Sequence, residues 1–235
     1  MGEKIRDLTG EIDCVFFDFD GVLIDFCDTG IPNWLIQMVQ KEARAMGVDD
    51  ISPGNVVSLF GRPGADHFRQ TCTELGIDRP SDFWDAVHHR GTKEKVHRFE
   101  AGEITAYDDI SVIQALSASF KIAIVSNQPQ ASVEQLLHKL PVHDHVDGVV
   151  GLEGLETNDH RKPNPDFILD AKRRLGVESP AYVGDSAVDV EAARTADAVP
   201  VYINRDGSFP NHQAYNIQTL GSLRALQSNF HGSRH

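Results

Sequence analysis

Short apolar runs that stop at polar turn residues recur along this chain. Cys14-Val15-Phe16-Phe17, Lys121-Ile122-Ala123-Ile124-Val125 and Ala181-Tyr182-Val183 are nearly unbroken, the pattern of strands covered on both faces of a parallel sheet. The pattern predicts strands at 13–18, 121–126, about 145–150, 181–184 and 199–203, with helices between most of them at about 109–118, 131–139, 165–175 and 187–196. Strand and helix in alternation predict an α/β fold, a doubly wound parallel sheet with helices on both faces.

The periodicity changes between the first two strands. Residues 28–104 hold no convincing strand. Pro32-Asn33-Trp34-Leu35-Ile36-Gln37-Met38-Val39 starts a helical pattern that runs to Met46 and stops at Gly47. Further helices are expected at about 53–60, 64–75 and 81–100, with Gly61, Pro63-Gly64 and Gly76 as breaks. An inserted α-helical domain over 28–104 is therefore expected within a core made of 1–27 and 105–235. The stretches Ile24–Thr29 and Gly102–Asp108 are its expected hinges.

Right-handed crossovers would place every strand end on one edge of the sheet, where ligands of open α/β sheets bind. That edge would gather Asp18, Asp20, Ser126, Asp185 and Asp189. Acids at the tip of a buried strand must be paired, metal-bound or open to a cleft. Several carboxylates brought this close raise one another's pKa values. A divalent cation would resolve the conflict, and hard oxygen donors select magnesium.

In order along the chain stand Asp18-x-Asp20-Gly21, Ser126-Asn127, Lys162-Pro163 and Gly184-Asp185-x-x-x-Asp189. This series resembles the haloacid dehalogenase-like hydrolases, and the likeness runs from about residue 12 to about residue 205. It implies a Rossmann-like core with an α-helical cap of the first type, close to the phosphoglycolate phosphatases and β-phosphoglucomutases. Asp18 would attack phosphorus to give an aspartyl-phosphate. Asp20 would protonate the leaving oxygen and then activate water. The resemblance assigns magnesium to Asp18, the backbone carbonyl of Asp20 and Asp185, with Asp189 as ligand or neighbour. Ser126, Asn127 and Lys162 would bind the phosphate. Each also has an ordinary reading: a turn at Ser126-Asn127, a solvated loop lysine at Lys162, and helix capping at Asp185 and Asp189.

The expected activity is magnesium-dependent hydrolysis of a small phosphorylated metabolite. Asp20 speaks against dehalogenation, because a halide leaving group needs no proton. The alternatives are a β-phosphoglucomutase-like mutase and a catalytically idle binding module. The stretch from Asp25 to Pro32 lacks the histidine usual in the mutases. For the substrate, Arg62 and His67 in the Gly61–His67 loop, with Trp34, are candidate cap contacts. Lys93, Lys95 and Arg98 read as a solvated helix face. His88, His89, His97, His143 and His145 lack the spacing of a zinc site.

Composition narrows the partners. A chain of 235 residues with 40% hydrophobic residues supports a proper core and contains no bilayer-length run. The charged N-terminus has no apolar signal segment. The scattered Cys14, Cys27 and Cys72 suggest reduced thiols and a cytoplasmic setting. A net charge of −13 disfavours nucleic acid and anionic membranes. The acid excess fits either an ordinary acidic surface or a salt-rich cytoplasm.

Overall fold

The computed structural model describes residues 5, 8, 11–26, 31–207, 210–211 and 213–227. Cys27, Asp28 and Thr29 of the first hinge, most of the charged N-terminal segment and the His231–His235 tail lie outside the described residues.

Six parallel strands form one sheet in the order β5-β4-β1-β6-β7-β8. They are β1 Cys14–Phe17, β4 Lys121–Pro129, β5 Gly148–Leu152, β6 Pro180–Gly184, β7 Val199–Ile203 and β8 Tyr215–Ile217. β1 lies between β4 and β6, in register from Cys14 with Lys121 on one side and Pro180 on the other. All four of its residues are buried. Alternation sends Val15 and Phe17 to one face and Cys14 and Phe16 to the other. The first face is covered by α5 Val112–Leu116, α6 Gln130–Leu137 and the 3₁₀ turns of Leu220–Gln227; the second by α7 Asp166–Leu175 and α8 Ala187–Thr195.

Between β1 and α5 stand four longer helices: α1 Asn33–Ala45, α2 Pro53–Phe60, α3 Ala65–Glu74 and α4 Pro80–Glu100. Ser52 caps α2, accepting from Asn55 N at 3.2 Å while Asn55 Oδ1 accepts from Ser52 N at 2.9 Å. Pro80 opens α4, where its missing N–H costs nothing. Phe60, Phe68, Phe83 and Trp84 pack together inside this helical unit. Its apolar interior runs without a break into the second face of the sheet. Chain entry and exit are tied by a short antiparallel pair, β2 Ile24–Asp25 against β3 Thr105–Ala106. The hydrophobic pattern misses this short pair and, within the six-stranded sheet, the strand at 215–217, whose three residues sit between polar turns. No helix among the described residues is long and apolar enough to cross a membrane.

Candidate active site

β1 and β6 end side by side, and the ladder extends one step further through Asp18 N donating to Val183 O at 2.8 Å. Asp18 and Asp185 therefore leave adjacent strands at the same edge. Asp189 joins them from the first turn of α8, where it also takes the Ser186 N–H at 3.0 Å and the Ser186 hydroxyl. The capping reading of Asp189 thus holds alongside its place in the cluster. Each of the three acids offers an oxygen within 4.8 Å of the others. Two glycines make room. Gly21 has φ +74°, and a Cβ there would fall 1.9 Å from Asp185 Oδ2; a Cβ on Gly184 would fall 2.3 Å from the Asp189 Cβ.

Lys162 enters this cluster from the loop before α7 and is buried, not a solvated loop residue. Its Nζ lies 3.0 Å from Asp18 Oδ1 and 2.6 Å from Asp189 Oδ1, and it donates to the Tyr182 hydroxyl at 2.7 Å. The Asp18 contact is an ion pair by distance without hydrogen-bond geometry, so Asp18 Oδ1 is buried without a donor. Burial pushes Asp18 up to about 6; Lys162 opposes the rise and Asp189 adds to it. Asp185 keeps an open side toward the cleft, yet burial of its carboxylate, then Asp18 and Asp189, push it up to about 7. Burial works against the Lys162 ammonium, but Asp18 and Asp189 outweigh it and raise its pKa. Three carboxylates share one ammonium, and an orphaned buried oxygen points among them. Such a set fits a hard divalent cation.

Ser126 and Asn127 lie where β4 shifts register against β5, between Val125 and Pro129. Asn127 grips the Lys162 main chain: its Oδ1 accepts from Lys162 N at 2.7 Å and its Nδ2 donates to Lys162 O at 3.1 Å. The amide expected to face phosphate is therefore spent on holding the lysine loop. Asp20 stands apart from the three carboxylates. Lys95 of α4 reaches it with Nζ at 2.5 and 2.7 Å from its two oxygens, lying 4.0 Å from the centre of the Phe26 ring. Lys95 is buried, not part of a wet helix face. The loop after Asp20 is clamped from behind by Arg205, which pairs with both oxygens of Asp109 at 3.1 and 3.2 Å and donates to Val22 O at 2.7 Å.

Residues 15–202 match the family described as haloacid dehalogenase-like hydrolase. The chain belongs to that family. Among its relatives is a phosphoglycolate phosphatase of Rhodobacter capsulatus, 29% identical over 199 residues, which cover 82% of this chain and 84% of the relative. A phosphatase of the same family from Thermococcus onnurineus has a similar structure, with a TM-score of 0.60 at 25% identity over 92% of this chain and 98% of that one. CbbY from Rhodobacter sphaeroides, solved with phosphate, superposes with a TM-score of 0.66 at 18% identity, covering 92% and 99%.

In this hydrolase a cavity of about 220 Å³ opens between the inserted helices and the sheet edge. Trp34, Phe60 and Trp84 line it from the helices, and Asn127, Leu152 and Arg161 from the core; Lys95 links it to Asp20. Arg62 and His67 are not in its wall. Arg62 is exposed, and His67 Nε2 sits 2.9 Å from Ser58 O. Lys95, Arg161 and Arg205 were not singled out by spacing. For Arg161, adjacency to the Lys162-Pro163 motif was the one available signal.

Proposed function

We propose that this chain hydrolyses phosphate monoesters of small metabolites, with residues 28–104 as an α-helical cap on a core of 1–27 and 105–235. The reading is carried by one observation: Asp18, at the tip of the central strand, is buried against Lys162 and within reach of Asp185 and Asp189. The relatives named phosphatases agree with it.

In this reading the Asp18 carboxylate attacks phosphorus, the ester P–O bond breaks, and Asp20 passes a proton to the departing oxygen. Water then attacks the aspartyl-phosphate while Asp20 takes a proton from that water, and the P–O bond to Asp18 breaks, freeing phosphate and the Asp18 carboxylate. Lys162 neutralises a phosphoryl oxygen and restrains Asp18; Asn127 fixes the Lys162 loop, and Ser126 offers its hydroxyl to the phosphate. Asp18, Asp185, Asp189 and the Asp20 carbonyl would hold magnesium, which supplies positive charge against the phosphoryl oxygens. Lys95 ties the cap to the proton-transfer group, so cap position and Asp20 position are linked.

The test is phosphate release from a panel of monoesters, phosphoglycolate first, then sugar phosphates and nucleotides, with EDTA and Asp18→Asn controls. Release that needs both magnesium and Asp18 is expected. Release that survives Asp18→Asn would name another nucleophile, and no release from any ester would overturn the reading.

A further inference from the structure

We propose that Arg161, beside the phosphate-binding lysine, is a substrate-selecting group that binds a second anion, a carboxylate or phosphate, on the leaving group of the monoester. The inference rests on the phosphatase reading and deepens it.

Arg161 reaches the cavity wall with its charge unanswered. Its Nη1 donates to two neutral acceptors, Phe60 O at 3.1 Å and Asn158 Oδ1 at 3.3 Å. Its Nε is buried without an acceptor. Among the described residues it makes no ion pair with a carboxylate. Burial lowers its pKa, yet a guanidinium stays charged in proteins. The other basic groups of the cavity are accounted for: Asp20 neutralises Lys95. His88 is held down at about 4, by burial first and by the Arg161 charge last, so it is neutral near pH 7. Its Nδ1 sits 2.8 Å from Trp84 O.

One uncompensated positive charge therefore faces a space walled largely by apolar side chains such as Phe60, Trp84 and Leu152. Such a charge is costly to bury unless an anion meets it. No described residue supplies that anion, while Lys95 and Asn127 carry the same cavity to the reacting groups. A monoester whose far end is anionic would lie with its phosphoryl group at Asp18 and its second charge on the guanidinium fork, the geometry Arg offers to carboxylates and phosphates.

The rival is purely structural: Arg161 pins the end of α2 to the core through Phe60 O. Paired esters separate the two. Phosphoglycolate and 3-phosphoglycerate carry a second anion; ethyl phosphate and glycerol 3-phosphate do not. The wild-type kcat/KM should favour the anionic-tailed esters by about tenfold or more, the scale of a charged hydrogen bond. Arg161→Met should collapse that ratio, chiefly through KM of the anionic-tailed ester, and Arg161→Lys should restore part of it. A structural role would lower both ester classes together and keep the ratio. Wild type without a preference, or Arg161→Met with the ratio intact, overturns the inference. If Arg161→Met does not fold, the wild-type ratio and the Lys variant decide.

Failure of the phosphatase reading is recognised separately, as no Asp18-dependent release from any ester. Binding then gives the answer. In the Asp18→Asn background, phosphoglycolate should raise the melting temperature more than inorganic phosphate does, and Arg161→Met should erase the difference. Equal shifts from the two ligands would overturn the inference.

Discussion

The carboxylate cluster and the cavity beside it are built in opposite ways. The cluster carries excess negative charge, three acids on one lysine, and the ends of β1 and β6 place two of those acids directly. The cavity carries excess positive charge at Arg161, and its wall joins side chains from α1, α2 and α4 to loops of the core. In the first region backbone topology sets the positions, and the side chains merely extend from strand tips. In the second, helix packing sets them. The difference teaches how the proposed functions divide: chemistry is assigned to the strand ends, substrate choice to the seam.

The largest effect should come from the centre of the cluster. Asp18→Asn should lower turnover by at least about a thousandfold, since the proposed nucleophile is lost and not merely weakened. The same change should leave the melting temperature unchanged or higher, because a neutral amide relieves a buried carboxylate whose pKa is already raised. A marked fall in melting temperature would show that Asp18 supports the fold, contrary to the electrostatics.

Lys95→Met tests the bridge between the regions. Losing the two contacts to Asp20 should reduce kcat/KM, which reports only the step that expels the leaving group, by about 100-fold on an alkyl phosphate, the low end of a proton-transfer contribution. An aryl ester such as p-nitrophenyl phosphate, whose leaving group departs without a proton, should lose far less. Equal losses on both esters would remove Lys95 from the positioning of Asp20.

The strand-end acids were legible because each closes an apolar run, so burial and acidity meet at one point of the chain. Lys162 was legible only through its place in the motif series. Lys95 was not, because α4 has polar residues around most of its circumference, and one buried lysine among Lys93, Glu94 and Arg98 leaves no periodic trace. Arg161 and His88 matter through a partner distant in sequence, Phe60, whose carbonyl meets the first and whose ring meets the second, and no local spacing encodes that. The Gly61–His67 loop looked able to reach the substrate, yet it turns Arg62 to solvent and His67 to Ser58. The sheet was read nearly whole; the seam between sheet and helices was not.

The cluster also predicts how stability depends on pH. Asp18 and Asp185 hold their protons to about 6 and about 7 in the folded chain, against about 3.9 for a free aspartate. Between pH 4 and 7 these two acids bind more protons folded than unfolded; His88, held down at about 4, binds fewer, but it is one group against two, so stability falls as pH rises through that window. The melting temperature of magnesium-free protein should drop between pH 5 and 7.5. Adding magnesium should flatten the drop, because a bound cation favours the ionised acids. A magnesium-free profile that rises over this range would refute the charge balance drawn for the cluster.

The smallest predicted effects come from two glycines, one in each region. Gly21→Ala must fit a Cβ 1.9 Å from Asp185 Oδ2 at a φ of +74°, so it should destabilise by more than about 1 kcal/mol. Gly91, inside α4 and in the cavity wall, faces ordinary contacts: a Cβ would lie 3.6 Å from Met38 Cε and 3.9 Å from its Sδ. Gly91→Ala should therefore stabilise by roughly 0.5–1 kcal/mol through helix propensity, raising the melting temperature by about 1–4 °C in a chain of this size. Denaturant and thermal melts of the two variants give the comparison directly. Opposite signs would show that the strand-end loop is close-packed around its acids while the cavity wall accepts an added methyl. A loss at Gly91 as large as at Gly21 would mean that α1 and α4 leave no slack, and that the cavity is as rigidly specified as the cluster.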